Sequence, residues 1–155
     1  MNPNEALIEE FYQGFQKKDA ARMIECYHPD VVFSDPVFQN LKGDRAKAMW
    51  QMLCERAKDL EMTYQDVQAD DQKGQGYWEA VYSFSRTNRK VHNKIHSAFR
   101  FKDGKIIEHR DTFDLWKWAA MALGLKGRLL GWSPPVQKAI REQALRGLDE
   151  FMQRG

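Results

Sequence analysis

The chain has 155 residues, with 24 Lys and Arg against 22 Asp and Glu, a net charge of +2. That length suits one domain with a sizeable core, and so even a charge balance gives no reason to expect nucleic acid or a membrane as partner. No apolar run reaches the ~18 residues that a membrane span needs, and the opening MNPNEALIEE lacks the basic start and apolar stretch of a signal peptide. A cytoplasmic protein is expected. The two cysteines, Cys26 and Cys54, have apolar neighbours and form no CxxC pair, so they read as buried free thiols in a reducing compartment.

In NEALIEEFYQGFQK, residues 4–17, Leu7, Ile8, Phe11, Tyr12 and Phe15 recur at helical spacing, with Asn4 as the expected N-cap. Asp19 caps a short second helix, 20–27, that His28-Pro29 should end. VVFS, 31–34, is a short strand, and Asp35-Pro36 breaks it. Gly43-Asp44 opens a helix through about Lys58, with Ala46, Met49, Trp50 and Leu53 on one face. Three strands are expected at 61–70, 76–87 and 91–101. The second puts Trp78, Ala80, Tyr82 and Phe84 on an apolar face. The third puts Ile95, Phe99 and Phe101 on one side and His92, Lys94, His96 and Arg100 on the other. Turns at 87–90 and 102–105 lead to a fourth strand, 105–113, closing a meander. Helices first and consecutive antiparallel strands after give an α+β class, helices against one face of a curved sheet. In the remaining tail, 115–155, LWKWAAMALGLKGRLLGW is apolar with glycine breaks. A last amphipathic helix begins at Ser133-Pro134-Pro135, with Val136, Ile140, Leu148, Phe151 and Met152 facing inward, as a lid or packing helix.

Two places can carry chemistry. Asp35 ends an apolar strand, where a desolvated carboxylate has a raised pKa and accepts protons near neutral pH. An aspartate before proline is also a common turn former. In GKIIEHRDTFD, 104–114, the face of Ile107 and Phe113 also carries His109 and Asp111, i and i+2 on one strand. A carboxylate beside a histidine fixes its tautomer, though such a pair can be purely structural. Metal is not expected: His92 and His96, at i and i+4 of one strand, lie about 13 Å apart, and neither HxH nor HExxH occurs. The absence of GxSxG, GxGxxG and Walker patterns argues against a serine nucleophile or a nucleotide, and no cofactor is expected.

Two N-terminal helices, a strand ending in Asp35-Pro36, a third helix and a meander closing on GKIIEHRDTFD resemble the NTF2-like superfamily. Its members include the ketosteroid isomerases, the SnoaL-type polyketide cyclases and the limonene epoxide hydrolases. The resemblance covers roughly 4–114. It implies an NTF2-like cone, 1–114, wrapped around a deep pocket, with a helical extension, 115–155, packed on the same domain. It also implies dimerisation through the sheet's outer face. By strand parity Trp78, Ala80, Tyr82, Phe84, Asn93, Ile95, Ser97, His109 and Asp111 then face the pocket.

Against the isomerases, Asp35 stands at the catalytic base. Their oxyanion tyrosine falls at Phe11, with Tyr12 one residue off, and their protonated aspartate at Ser97, so both acidic donors are missing. Against the epoxide hydrolases, RDTFD puts Asp111 at one catalytic aspartate and Asp35 at the water-binding asparagine. Ala80 and Trp78 replace the second aspartate and its arginine. The resemblance thus implies a cofactor-free acid/base enzyme for a small apolar, carbonyl-containing molecule. Asp35 is its base, and His109 with Asp111 the partner acid or orienter. Tyr12, Ser97 or Asn93 donate to an oxyanion, and Phe11, Trp50, Trp78, Tyr82, Phe84 and Phe113 contact the substrate. A non-catalytic ligand-binding or dimerisation module is the alternative.

Overall fold

The computed structural model describes residues 2–154; Met1 and Gly155, the outer ends of the expected 1–114 and 115–155 units, lie outside it. Twelve elements follow in order: α1 Pro3–Gln16, α2 Ala20–Glu25, β1 Tyr27–Ser34, β2 Leu41–Lys42, α3 Asp44–Arg56, β3 Glu61–Ala69, β4 Lys73–Ser83, β5 Lys90–Lys102, β6 Lys105–Thr112, α4 Leu115–Leu123, α5 Leu125–Leu130 and α6 Pro134–Arg154. The strands form one six-stranded sheet in the order β2-β1-β6-β5-β4-β3. Only β1 and β6 pair in parallel; every other neighbour is antiparallel. The sheet is curved and open, and the α+β class read from the sequence holds.

α1 starts two residues earlier than expected. Asn2, not Asn4, is the N-cap, its side chain accepting from the Asn4 N–H at 2.8 Å. The reason is Pro3, whose missing N–H and fixed φ suit the first helical position. Asn4 instead donates to the Asp70 carbonyl at 3.0 Å, tying α1 to the β3–β4 turn. Asp19 caps α2 as expected, accepting from Arg22 N–H. α2 nevertheless ends at Glu25, and His28-Pro29 lies inside β1. Proline is tolerated there because the β1–β6 register breaks between Tyr27 and Val32.

β5 alternates buried and exposed positions from Lys90 to Arg100, so His92, Lys94, His96 and Arg100 do lie on the outer face. β4 begins at Lys73 and ends at Ser83, shorter at its far end than the expected 76–87. Residues 84–89 instead form a turn closed by Phe84 N–H to Arg89 O at 2.9 Å, with φ 59° at Asn88. The 102–105 turn appears where expected, with positive φ at Asp103 (55°) and Gly104 (73°), as a tight two-residue hairpin requires.

The concave face packs on α1 and α3 around Ile8, Phe11, Phe33, Met49, Trp50, Ile95 and Phe99. α6 joins this core through Leu148, which is fully buried. α4 packs on β5, where Trp118, Ala119 and Ala122 meet Val91. Cys26 and Cys54 are buried free thiols. Burial pushes the first up to about 12 and the second up to about 11, so neither is a thiolate nucleophile at neutral pH. No described helix is long and apolar enough to cross a membrane.

Candidate active site

A cavity of about 650 Å³ opens between the concave sheet and the helices. Its floor comes from Phe15, Trp50, Trp78 and Ile95, and its far wall from Pro135, Val136, Ile140 and Ala144 of α6. The last helix, read as a lid or packing helix, therefore forms part of the cavity wall. Two carboxylates, Asp35 and Asp111, face into it.

Asp35 follows the last residue of β1. Its Oδ1 accepts the Val37 and Phe38 N–H groups at 2.7 and 2.6 Å, and its own N–H donates to Phe38 O at 2.7 Å. This is a self-closing Asx turn. The turn reading of Asp35 therefore holds, and the same residue also lines the cavity. Burial pushes its pKa up to about 7 and the Asp111 charge adds to that, while the two N–H bonds pull the other way. Pro36 O accepts from Arg141 Nε at 2.8 Å, so α6 fastens the turn from the far end of the chain.

Asp111 is set by a buried chain of hydrogen bonds. It lies directly opposite Ser97 across the β5–β6 ladder. Ser97 Oγ donates to Asp111 Oδ1 at 2.6 Å and accepts from Trp78 Nε1 at 3.1 Å. His109 Nε2 meets the same Oδ1 at 2.8 Å. The other ring nitrogen, Nδ1, lies 2.8 Å from the Tyr27 hydroxyl, which in turn accepts from Trp50 Nε1 at 2.8 Å. Burial holds the Tyr27 phenol protonated. Its proton then goes to Nδ1, and the ring's own proton sits on Nε2, toward Asp111. Oδ1 thus has two donors. Oδ2 takes no bond from the described residues and is left to the cavity.

Strand parity therefore found the right face but not the depth. Trp50, Trp78, Tyr82, Phe84, Asn93, Asp111 and Phe113 line the cavity. Phe11, Tyr12, Ser97 and His109 do not; they lie in the core beneath it. His109 is boxed by Phe99, Phe33 and Phe11, with ring centroids at 4.5, 4.9 and 5.2 Å. The reason is that α1 packs on β3 and β4, and its Phe11 and Tyr12 reach across to His109 and Phe99, filling the space that parity alone leaves open. Phe15, one turn beyond Phe11 on α1, reaches the cavity instead.

The donors change accordingly. Ser97 spends its proton on Asp111, and the Tyr12 hydroxyl has no partner among the described residues. The Tyr82 hydroxyl accepts from Trp118 Nε1 at 2.9 Å, which leaves its own proton free on the cavity wall. The Asn93 amide is buried, lines the cavity and takes no hydrogen bond from the described residues. Tyr27 and Arg141 escaped sequence reasoning. Tyr27 has the parity of Val31 and Phe33, but Pro29 between them hides the strand.

A curved sheet closed over helices, with an apolar cavity at its concave face, defines an NTF2-like protein. Residues 8–109 match the family of SnoaL-like domains, and the chain belongs to that family. Solved structures agree on the fold. An epoxide hydrolase of the LEH-like type from M. tuberculosis is 19% identical, with TM-score 0.66, covering 83% of this chain and 96% of its own. A proposed SnoaL-like polyketide cyclase from Jannaschia sp. CCS1 is 16% identical, with TM-score 0.69, covering 79% and 92%. IdmH of Streptomyces antibioticus, a proposed polyketide cyclase, is 21% identical, with TM-score 0.65, covering 81% and 100%. No curated protein matches the chain.

Proposed function

We propose that the protein is a cofactor-free acid/base enzyme acting on a small apolar molecule that carries a carbonyl group. One observation carries the reading: Asp35 and Asp111 face one largely apolar cavity, and Asp35 has its pKa raised to about 7. A carboxylate poised near neutral pH both takes and returns a proton efficiently. Asp35 is the base that removes a proton next to the carbonyl. The charge moves to the carbonyl oxygen, where the free protons of Tyr82 and Asn93 receive it. Asp111 Oδ2 is the partner proton site, and His109 is the orienter behind it. The cyclase and epoxide-hydrolase neighbours support the reading only as the kinds of chemistry this fold hosts.

The test is a panel of enones and β-keto compounds, with Asp35→Asn as the control. Turnover should fall by about 10²–10⁴-fold in that variant. In the wild type, kcat/KM should rise with pH through about 7, as the base ionises. Equal turnover in wild type and variant removes Asp35 as the base. Saturable binding without turnover anywhere in the panel supports the competing binding-module reading.

A further inference from the structure

α4 and α5 form a tight helical pair that leaves its large apolar side chains outside. Gly127 lets the two backbones touch: a Cβ there would lie 1.9 Å from the Ala119 carbonyl oxygen. The pair buries Trp118, Ala119 and Ala122, yet Trp116, Leu125, Leu129, Leu130 and Trp132 stay exposed, Leu125 at 70% and Leu129 at 60%. Among the described residues these are the large hydrophobic side chains left exposed. They belong together. Leu125 and Leu129 share a helix face at i and i+4. Trp116 donates to Arg128 O at 3.0 Å, and Trp132 donates to Leu129 O at 2.9 Å. Both indoles are thus tied by their N–H groups while their rings face water.

The charge on this patch is mostly of one sign: Asp114, the α4 N-cap, is the acid beside it, and Lys138 pairs with Glu142 at 3.9 Å. From Leu115 to Arg141 the charged residues are Lys117, Lys126, Arg128, Lys138 and Arg141, with no acid among them. Five cations here, in a chain of net charge +2, leave the rest of the molecule net acidic. The even total that argued against a membrane partner conceals this segregation. Lys117, Lys126 and Arg128 are exposed and make no ion pair among the described residues. Arg89 lies against the α4–α5 turn, near Gly124, and donates to Met121 O at 2.9 Å.

We propose that the α4–α5 face docks on an anionic phospholipid surface. Leucines and indoles at the tip enter the headgroup region, and Lys117, Lys126 and Arg128 meet lipid phosphates. A second copy fits less well: a two-fold contact through this patch sets cations against cations. The cavity gives the docking a use. Leu123 and Lys126 of this pair line the cavity wall, so the cavity adjoins the patch. An apolar molecule dissolved in the bilayer would reach the cavity without crossing water. The inference does not depend on the proposed chemistry.

The experiment is co-sedimentation of the full chain with vesicles of phosphatidylglycerol and phosphatidylcholine, against pure phosphatidylcholine, at low and high salt. The anionic vesicles should carry the protein down, and high salt should release it. The double variant Leu125→Glu/Leu129→Glu should bind about tenfold more weakly while keeping its helical circular dichroism. The reversal Lys126→Glu/Arg128→Glu tests the charge separately and should lose anionic selectivity. No binding to anionic vesicles overturns the proposal, and so does binding that ignores both double variants. Without vesicle binding, a concentration-dependent dimer that Leu129→Glu dissociates assigns the patch to a second copy instead.

Discussion

The Arg141 side chain of α6 donates its Nε–H to the carbonyl of Pro36 at 2.8 Å, one residue from the Asp35 carboxylate. The tail thereby holds the turn that aims Asp35 into the cavity. Arg141→Ala should lower stability by about 1–2 kcal/mol in urea unfolding. It should also move the Asp35 titration from about 7 toward an ordinary carboxylate value, since a loosened turn admits water. Carboxyl carbon NMR reads that second effect. An unmoved titration would show that the turn stands without α6.

Asp35 also links stability to pH. Its folded pKa is about 7, above the ~3.9 of an unfolded aspartate. The folded state keeps the proton longer, so this contribution is complete below about pH 4. It fades as pH rises and is gone above about 7. Asp35→Asn keeps the acceptor for the Val37 and Phe38 N–H groups and cannot ionise. Its stability relative to wild type should therefore climb between pH 4 and 8, by on the order of 2–4 kcal/mol. Urea midpoints of both proteins across that range would show it.

Ser97, itself fully buried, joins Trp78 to Asp111. Ser97→Ala leaves the indole N–H without its acceptor and removes one donor from Asp111 Oδ1. The expected loss is about 1–3 kcal/mol, because a buried polar group left unpaired keeps its desolvation cost. A loss near zero in equilibrium unfolding would mean that these bonds do not hold Asp111.

Tyr12 presents the opposite case. Its hydroxyl is buried and has no partner among the described residues, and it fills the space where a Cβ on Gly76 would fall, 2.5 Å away. Tyr12→Phe should raise stability by about 1 kcal/mol, since it deletes an unsatisfied group without opening a large cavity. A loss in thermal or urea unfolding would reveal a partner for the hydroxyl.

The sequence by itself determined the order of the main elements and the facing of β4, β5 and the second half of β6. At the start of β6 it put Ile107 on the core face, where the register shift at Arg100–Phe101 buries Ile106 instead. Period-2 alternation in β4, β5 and β6 separates His92 and Lys94 from Asn93 and Ile95 without any fold in hand. The same alternation put Trp78, Tyr82, Asn93 and Asp111 on the concave side, where the cavity is. Periodicity is local and says nothing about depth. Ser97 and His109 share parity with Asn93 and Asp111, yet they lie under α1, out of reach of the cavity. Tertiary packing alone decided that. It also made Tyr27 the partner of His109, 82 positions away, and Arg141 the partner of Pro36, 105 positions away. Contacts at such separations follow from how helices settle on a curved sheet, and neither spacing nor composition records that choice.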